Sequence, residues 1–218
     1  MADPSSNTPT ALETRRTSAG KLYSPSAGRN SKDIAEVLAA RLKQGAAVLE
    51  IGSGTGEHAE AACFARPDIR WTPTDPDADA RASQSARAAE MGSQLESPRE
   101  VDASDHDWWN DFKPVDALVS CNVIHIAPWT VAEGIALGAE NLVKPSGFVM
   151  LYGPFLTGDA TAPSNLAFSE NLNARNPEWG VRPLDAVTAL FVQHSFALQE
   201  CIEMPANNLS LIFRKCEP

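Results

Sequence analysis

The sequence has no close cysteine pair. Cys63, Cys121, Cys201 and Cys216 are scattered along the chain with no CxxC spacing, which suggests neither a zinc knuckle nor a disulfide framework. Reduced thiols are expected, with Cys63 and Cys121 in packing roles. The four histidines also lack ligand-like spacing, so no metal is expected. Long apolar runs are missing as well. None approaches the ~20 residues of a bilayer span, and the first residues carry no secretory apolar stretch. A cytoplasmic protein without membrane contact is therefore the expectation. Positive charge is in short supply, with 18 Lys and Arg against 28 Asp and Glu, a formal net charge of −10. That balance repels phosphate backbones and anionic lipid, so a small-molecule substrate is expected rather than a nucleic acid. No pattern in the sequence fixes an oligomeric state.

Hydrophobic residues make up 43% of the 218 positions, enough for one sizeable core. Residues 1 to 20, rich in Ser, Thr, Ala and Pro without apolar periodicity, read as a flexible tail before a single domain over 21–218. From Ser31 the apolar positions Ile34, Val37, Leu38 and Leu42 recur at helical spacing until Gly45. Ala47 to Ile51 reads as a strand and 57–66 as a helix stopped by Pro67. A second strand over 69–72, a helix over 77–91 and a weak third strand near Arg99–Val101 follow. Val115 to Cys121 is a buried fourth strand, 130–143 a helix and 148–152 a fifth strand. Helices near 164–175 and 183–194 precede two closing strands, 197–203 and 209–213. This alternation predicts an α/β fold, a doubly wound, mostly parallel seven-stranded sheet ending in an antiparallel strand pair. Ligands of such sheets bind at the carboxyl ends of the strands. Trp108 and Trp109 read as packing residues.

Chemistry is expected where the first strand opens into Gly52-Ser53-Gly54-Thr55-Gly56. Glycine lets the backbone bend sharply and approach a ligand closely, and Glu50 sets a carboxylate at the strand's end. A dinucleotide fingerprint, GxGxxG, would place its last glycine at 57, but Glu57 stands there. The run VLEIGSGTG resembles motif I of the class I methyltransferases that use S-adenosylmethionine (SAM), with a Rossmann-like fold. The resemblance implies that Glu50 organises the methionine end of the cofactor and that Gly52, Ser53, Gly54 and Gly56 cradle it. Asp75, after the second strand, is placed to accept hydrogen bonds from both ribose hydroxyls; a helix cap is its other reading, a task open equally to Asp77. Asp102, with Ala103, stands where relatives carry an acidic residue that binds the adenine amino group, or else is a turn residue. Asn122 leaves the fourth strand as a cofactor or substrate contact, or as a strand-end cap.

The stretches SPSAGRN (24–30), EIGSGTGEH (50–58), NVIHIAPW (122–129), YGPF (152–155), TAPSN (161–165), NPEWGVR (176–182) and MPANNLSL (204–211) resemble the DUF938 family. These are methyltransferase-like proteins that include the methyltransferase-like 26 proteins. The resemblance runs from about Tyr23 to the C-terminus and supplies no substrate. Across the expected cleft His125 is a candidate general base and Tyr152 a candidate hydrogen-bonding partner of the substrate, each with a packing alternative. His58 reads as structural. Arg29, Asn30, Trp129, Asn165, Arg182, Asn207 and Asn208 are candidate substrate contacts; an Arg fork suits a carboxylate or phosphate. The expected activity is SAM-dependent methyl transfer to an oxygen or nitrogen of a small polar, anionic molecule. The alternatives are a SAM-binding protein without catalysis and, disfavoured by Glu57, a nicotinamide oxidoreductase.

Overall fold

The computed structural model describes residues 15–216. Fourteen of the twenty residues expected as a tail lie outside that range. Inside it, β1 (Arg16–Ser18) pairs antiparallel with β2 (Lys21–Tyr23) as a small hairpin. Helix α1 (Pro25–Ala39) starts earlier than its apolar spacing suggests. The Ser24 hydroxyl caps it by accepting from Ala27 N, and Pro25 occupies the first turn, where no N–H is missed.

Strand β3 (Ala47–Ile51), α2 (Glu57–Ala65), β4 (Arg70–Thr74), α3 (Ala78–Met91), β5 (Val115–Cys121), α4 (Trp129–Leu142) and β6 (Val143–Pro154) then alternate. Helices α5 (Pro163–Arg175) and α6 (Leu184–Gln193) precede β7 (Phe196–Met204) and β8 (Asn208–Lys215). The main sheet runs β4-β3-β5-β6-β8-β7. β4, β3, β5 and β6 pair in parallel, while β8 runs antiparallel to both β6 and β7. The expected closing antiparallel pair is present.

Six strands pair in this sheet, not seven. The segment at the expected third strand follows β4 only through isolated bridges, Trp71 with Leu95 and Thr74 with Arg99. Its amides bond there intermittently, Glu96 N to Trp71 O and Arg99 N to Pro73 O. Pro73 in β4 and Pro98 in the segment have no N–H to give, so a continuous ladder cannot form. At the other end of the parallel strands, Lys144 to Gly147 extends β6 rather than forming a loop, with a register shift against Val115–Ala117.

Alternation along the strands builds two apolar layers. Val48, Ala117, Val119, Phe148, Met150 and Ile212 pack with Ile34 and Leu38 of α1 and Ala59 and Ala62 of α2. Leu49, Leu118, Val149, Leu151, Leu211 and Phe213 pack with Ile135 and Ala139 of α4 and Val187 and Phe191 of α6. Trp108 and Trp109 lie against that second layer, and the Trp108 indole donates to Gly134 O on α4. Among the described residues no helix is long and apolar enough to cross a membrane.

Candidate functional site

The turn after β3 closes on left-handed glycines, with φ of 71° at Gly52, 54° at Gly54 and 82° at Gly56. Side chains at these positions would be strained, and a Cβ at Gly52 would also meet Val123 Cγ2 at 2.4 Å. Above Gly54 there is more room; the atom nearest to a Cβ built there is Arg15 Nη2, at 3.8 Å. The turn is tied to the end of β4. Ser53 N donates to Thr74 O, Thr74 N to Ser53 Oγ and Thr74 Oγ1 to Glu50 O. Asp75 sits beside it, 8% exposed, its carboxylate accepting from Gly54 N at 2.8 Å and from Asp77 N at 3.0 Å. Burial raises its pKa against those bonds. Asp77, not Asp75, caps α3, accepting from Asp79 N and Ala80 N. Glu57 fills the place of the missing glycine and accepts from Ser24 N and Thr55 Oγ1, joining the starts of α1 and α2.

Glu50 turns inward. Its side chain is fully buried, Oε2 accepts from Trp71 Nε1 at 3.0 Å, and burial pushes its pKa up to about 7. His58 Nδ1 lies 3.8 Å from Oε1, and the opposite ring nitrogen, Nε2, bonds Asn30 Oδ1 at 2.9 Å. The Tyr152 phenol, 2% exposed, lies beside the same Asn30, and burial raises its pKa. Trp71, Glu50, His58, Asn30 and Tyr152 therefore form one polar cluster beneath the turn, broken by a 3.8 Å gap between Glu50 Oε1 and His58 Nδ1.

Asn122, left-handed at φ 59°, starts the segment after β5. His125 on that segment is 1% exposed and packs edge-on to Phe155 at 5.3 Å; neither ring nitrogen makes a well-formed hydrogen bond, and the Gly180 backbone is its one polar neighbour that favours the protonated ring. Burial, with the nearby Arg182 charge, lowers its pKa to about 3, so the imidazole is neutral at physiological pH. It fits because residue 153 is glycine, where a Cβ would stand 2.5 Å from His125 Nε2.

Arg182 donates to the carbonyls of Ile124, Ala127 and Glu178 and lies over the Trp129 ring, so its fork holds the 122–129 segment. Asn165 donates to Asn207 O and Phe155 O, Asn207 to Ser164 Oγ, and Asn208 to Pro205 O and Ala206 O. Asn165 and Asn207 join the start of α5 to the β7–β8 corner, and Asn208 closes that corner on itself. Arg29 is exposed on α1. Asp102 folds onto Ser104, accepting from its N and Oγ, while Ala103 is buried. Asp102 also lines an open depression of about 490 Å³ with Pro76, Glu100, His106 and Trp108.

The fold thus gathers Glu50, Ser53, Gly54 and Asp75 at one turn, and Asn122 and His125 beside it. Asn165, Asn207 and Asn208 form a separate corner. Sequence reasoning missed Arg87 on α3. It is fully buried, donates to Thr55 O in the glycine turn and to Leu22 O in the hairpin, and pairs with Glu60. No local pattern marks it, because its partners come from three other elements.

Solved structures with the same fold include a pyocyanin biosynthetic protein, PhzM, at 14% identity and a TM-score of 0.71, covering 88% of this chain and 59% of that one. An O-methyltransferase family protein from Burkholderia thailandensis matches at 16% identity and a TM-score of 0.74, covering 88% of this chain and 56% of that one. Human N-acetylserotonin methyltransferase, solved with SAM, matches at 15% identity and a TM-score of 0.70, covering 86% and 52%. The chain spans little more than half the length of these proteins. The family model described as "Protein of unknown function (DUF938)" matches residues 21–215. The chain belongs to the DUF938 family, on the fold of the class I SAM-dependent methyltransferases.

Proposed function

We propose that this protein binds SAM and transfers its methyl group to an oxygen or nitrogen of a small, polar, anionic molecule. The observation that carries the reading is the Gly52–Gly56 turn with the Asp75 carboxylate at its edge. On the methyltransferase fold, this is where the sugar and methionine parts of SAM belong. Asp75 would take the ribose hydroxyls, the room above Gly54 the sulfonium end, and Asp102 with Ala103 the adenine side, next to the depression beyond Pro76. Bound SAM supplies an electrophilic methyl group. The chain's own task is then alignment of the acceptor and exclusion of water. A neutral His125 with a pKa of about 3 is a weak base at neutral pH. It suits an orienting role toward an acceptor that is already ionised, such as a carboxylate. Arg182, Asn165, Asn207 and Asn208 spend donors on their own backbone or on neighbouring side chains, which leaves exposed Arg29 as the cation for an anionic substrate. In this reading Tyr152 and Asn30 support the site from below, and Trp129 backs the loop.

Calorimetry with SAM and NAD side by side tests the cofactor. SAM should bind, NAD should not, and Asp75→Ala should weaken SAM binding at least tenfold; binding of NAD alone would overturn the reading. Conversion of SAM to S-adenosylhomocysteine with pooled small organic acids then tests transfer. Binding without turnover on any acceptor would favour the non-catalytic alternative.

A further inference from the structure

Glu50 at the end of β3, His58 in the first turn of α2 and Cys121 at the end of β5 meet beneath the glycine turn. One ligand atom from each lies within 4.8 Å of the other two. Glu50 Oε2 is engaged by the Trp71 indole, while Oε1 is buried with no hydrogen-bond partner. The bond from His58 Nε2 to the amide oxygen of Asn30 uses the one ring N–H of a neutral imidazole, so Nδ1 presents a lone pair toward Glu50 Oε1 at 3.8 Å. With Glu50 ionised, two acceptors face each other across a buried gap with a thiol alongside, an arrangement that a positive ion between them would satisfy.

We propose that Glu50 Oε1, His58 Nδ1 and Cys121 Sγ bind a divalent cation of the zinc class. Mixed oxygen, nitrogen and sulfur ligation suits zinc and not magnesium or calcium, which take all-oxygen shells. The charges balance. The Cys121 thiol loses its proton to solvent as the ion binds, and thiolate plus carboxylate then offset the two positive charges beside a neutral imidazole. The support around the ligands is already in place, since Trp71 and Asn30 hold the atoms of Glu50 and His58 that point away from the gap. The ligands come from three elements and lie far apart in the chain, so no spacing motif announces them. An ion here would brace β3, α2 and β5 below the turn whether or not methyl transfer occurs above it.

The test uses the full chain carrying Cys201→Ser and Cys216→Ser, which removes the two exposed thiols that could take up metal nonspecifically. Metal-free, reduced protein is titrated with Co2+ and then Zn2+. One equivalent of Co2+ should bind with a thiolate-to-cobalt charge-transfer absorption, and Zn2+ should displace it. Cys121→Ser, folded by circular dichroism, should lose that absorption. His58→Gln and Asn30→Ala should each weaken Zn2+ binding by about 10–100-fold. Less than stoichiometric binding, absorption that persists in Cys121→Ser, or unchanged Zn2+ affinity in both other variants overturns the proposal. SAM binding measured on the metal-free protein separates this outcome from the fate of the cofactor reading.

Discussion

His125 is costly to bury: its imidazole makes no well-formed hydrogen bond, has only a weak approach to the Gly180 backbone, and stands edge-on to Phe155 and against Gly153. Removing a buried polar group together with its unmet hydrogen-bonding need is close to neutral for stability when the shape is kept. A packing histidine and a working one therefore give opposite results when replaced by an apolar residue of similar size. His125→Leu should keep the urea midpoint of the parent or raise it, while methyl transfer to the acceptor falls at least tenfold. A variant with lower stability and full turnover would show that the ring only fills space. Because burial lowers its pKa to about 3, His125 is neutral from pH 5 to 8, and the pH–rate profile in that range should carry no limb that disappears in the variant.

Elements were readable where their signal is local. The apolar run of β3 and the helical spacing within α1 mark their own structure, and the three glycines mark the turn. The start of α1 was hidden because Ser24 and Pro25 look like loop residues, although one caps the helix and the other opens it. The β1–β2 hairpin was hidden because β1 is wholly exposed and both strands are short. The weak strand expected near Arg99–Val101 stays at isolated bridges because a proline in β4 decides whether its neighbour can pair. At the site, the glycines and Asp75 were legible, but the use of Arg182 on carbonyls and the meeting of Glu50, His58 and Cys121 exist only after the chain has folded. Arg87 belongs to the same class. From α3 it reaches α2 through Glu60, the hairpin through Leu22 O and the glycine turn through Thr55 O, and lies over the Tyr23 ring. Lys21 adds a second buried cation to Glu60 and also pairs with Glu90. Removing the guanidinium strands two carbonyls and leaves Glu60 with Lys21 alone. Arg87→Ala should lower unfolding stability by about 3 kcal/mol in urea titrations and weaken SAM binding as the turn loosens. Full stability would show that Lys21 and solvent replace the clamp.

Across the molecule the parallel strands separate two tasks by direction. Their carboxyl ends carry the turn, Asp75 and His125, and their amino ends are held by Asp116 at the start of β5. Its carboxylate accepts from Ala47 N at 2.9 Å, at the start of β3, and pairs with Lys43 at 2.7 Å and Lys144 at 3.1 Å. Burial alone would push this carboxyl up, but the bonds from Lys43, Ala47 N and Lys144 outweigh it and hold the pKa below the usual carboxylate range. A depressed folded pKa means the ionised form is favoured by folding. The contribution is therefore complete above the unfolded value of about 4 and disappears as pH falls through the lower folded value. Asp116→Ala should cost about 2 kcal/mol in chemical unfolding at pH 7. The gap to the parent should stay constant down to about pH 5 and narrow below pH 4, as the parent loses the ion pairs that the variant never had. SAM affinity of the folded variant should match the parent, because the carboxylate sits at the far end of the sheet from the glycine turn. A gap that persists in acid would instead assign the cost to lost packing around β5, and a matching fall in SAM affinity would show that strain at one end of these strands reaches the other.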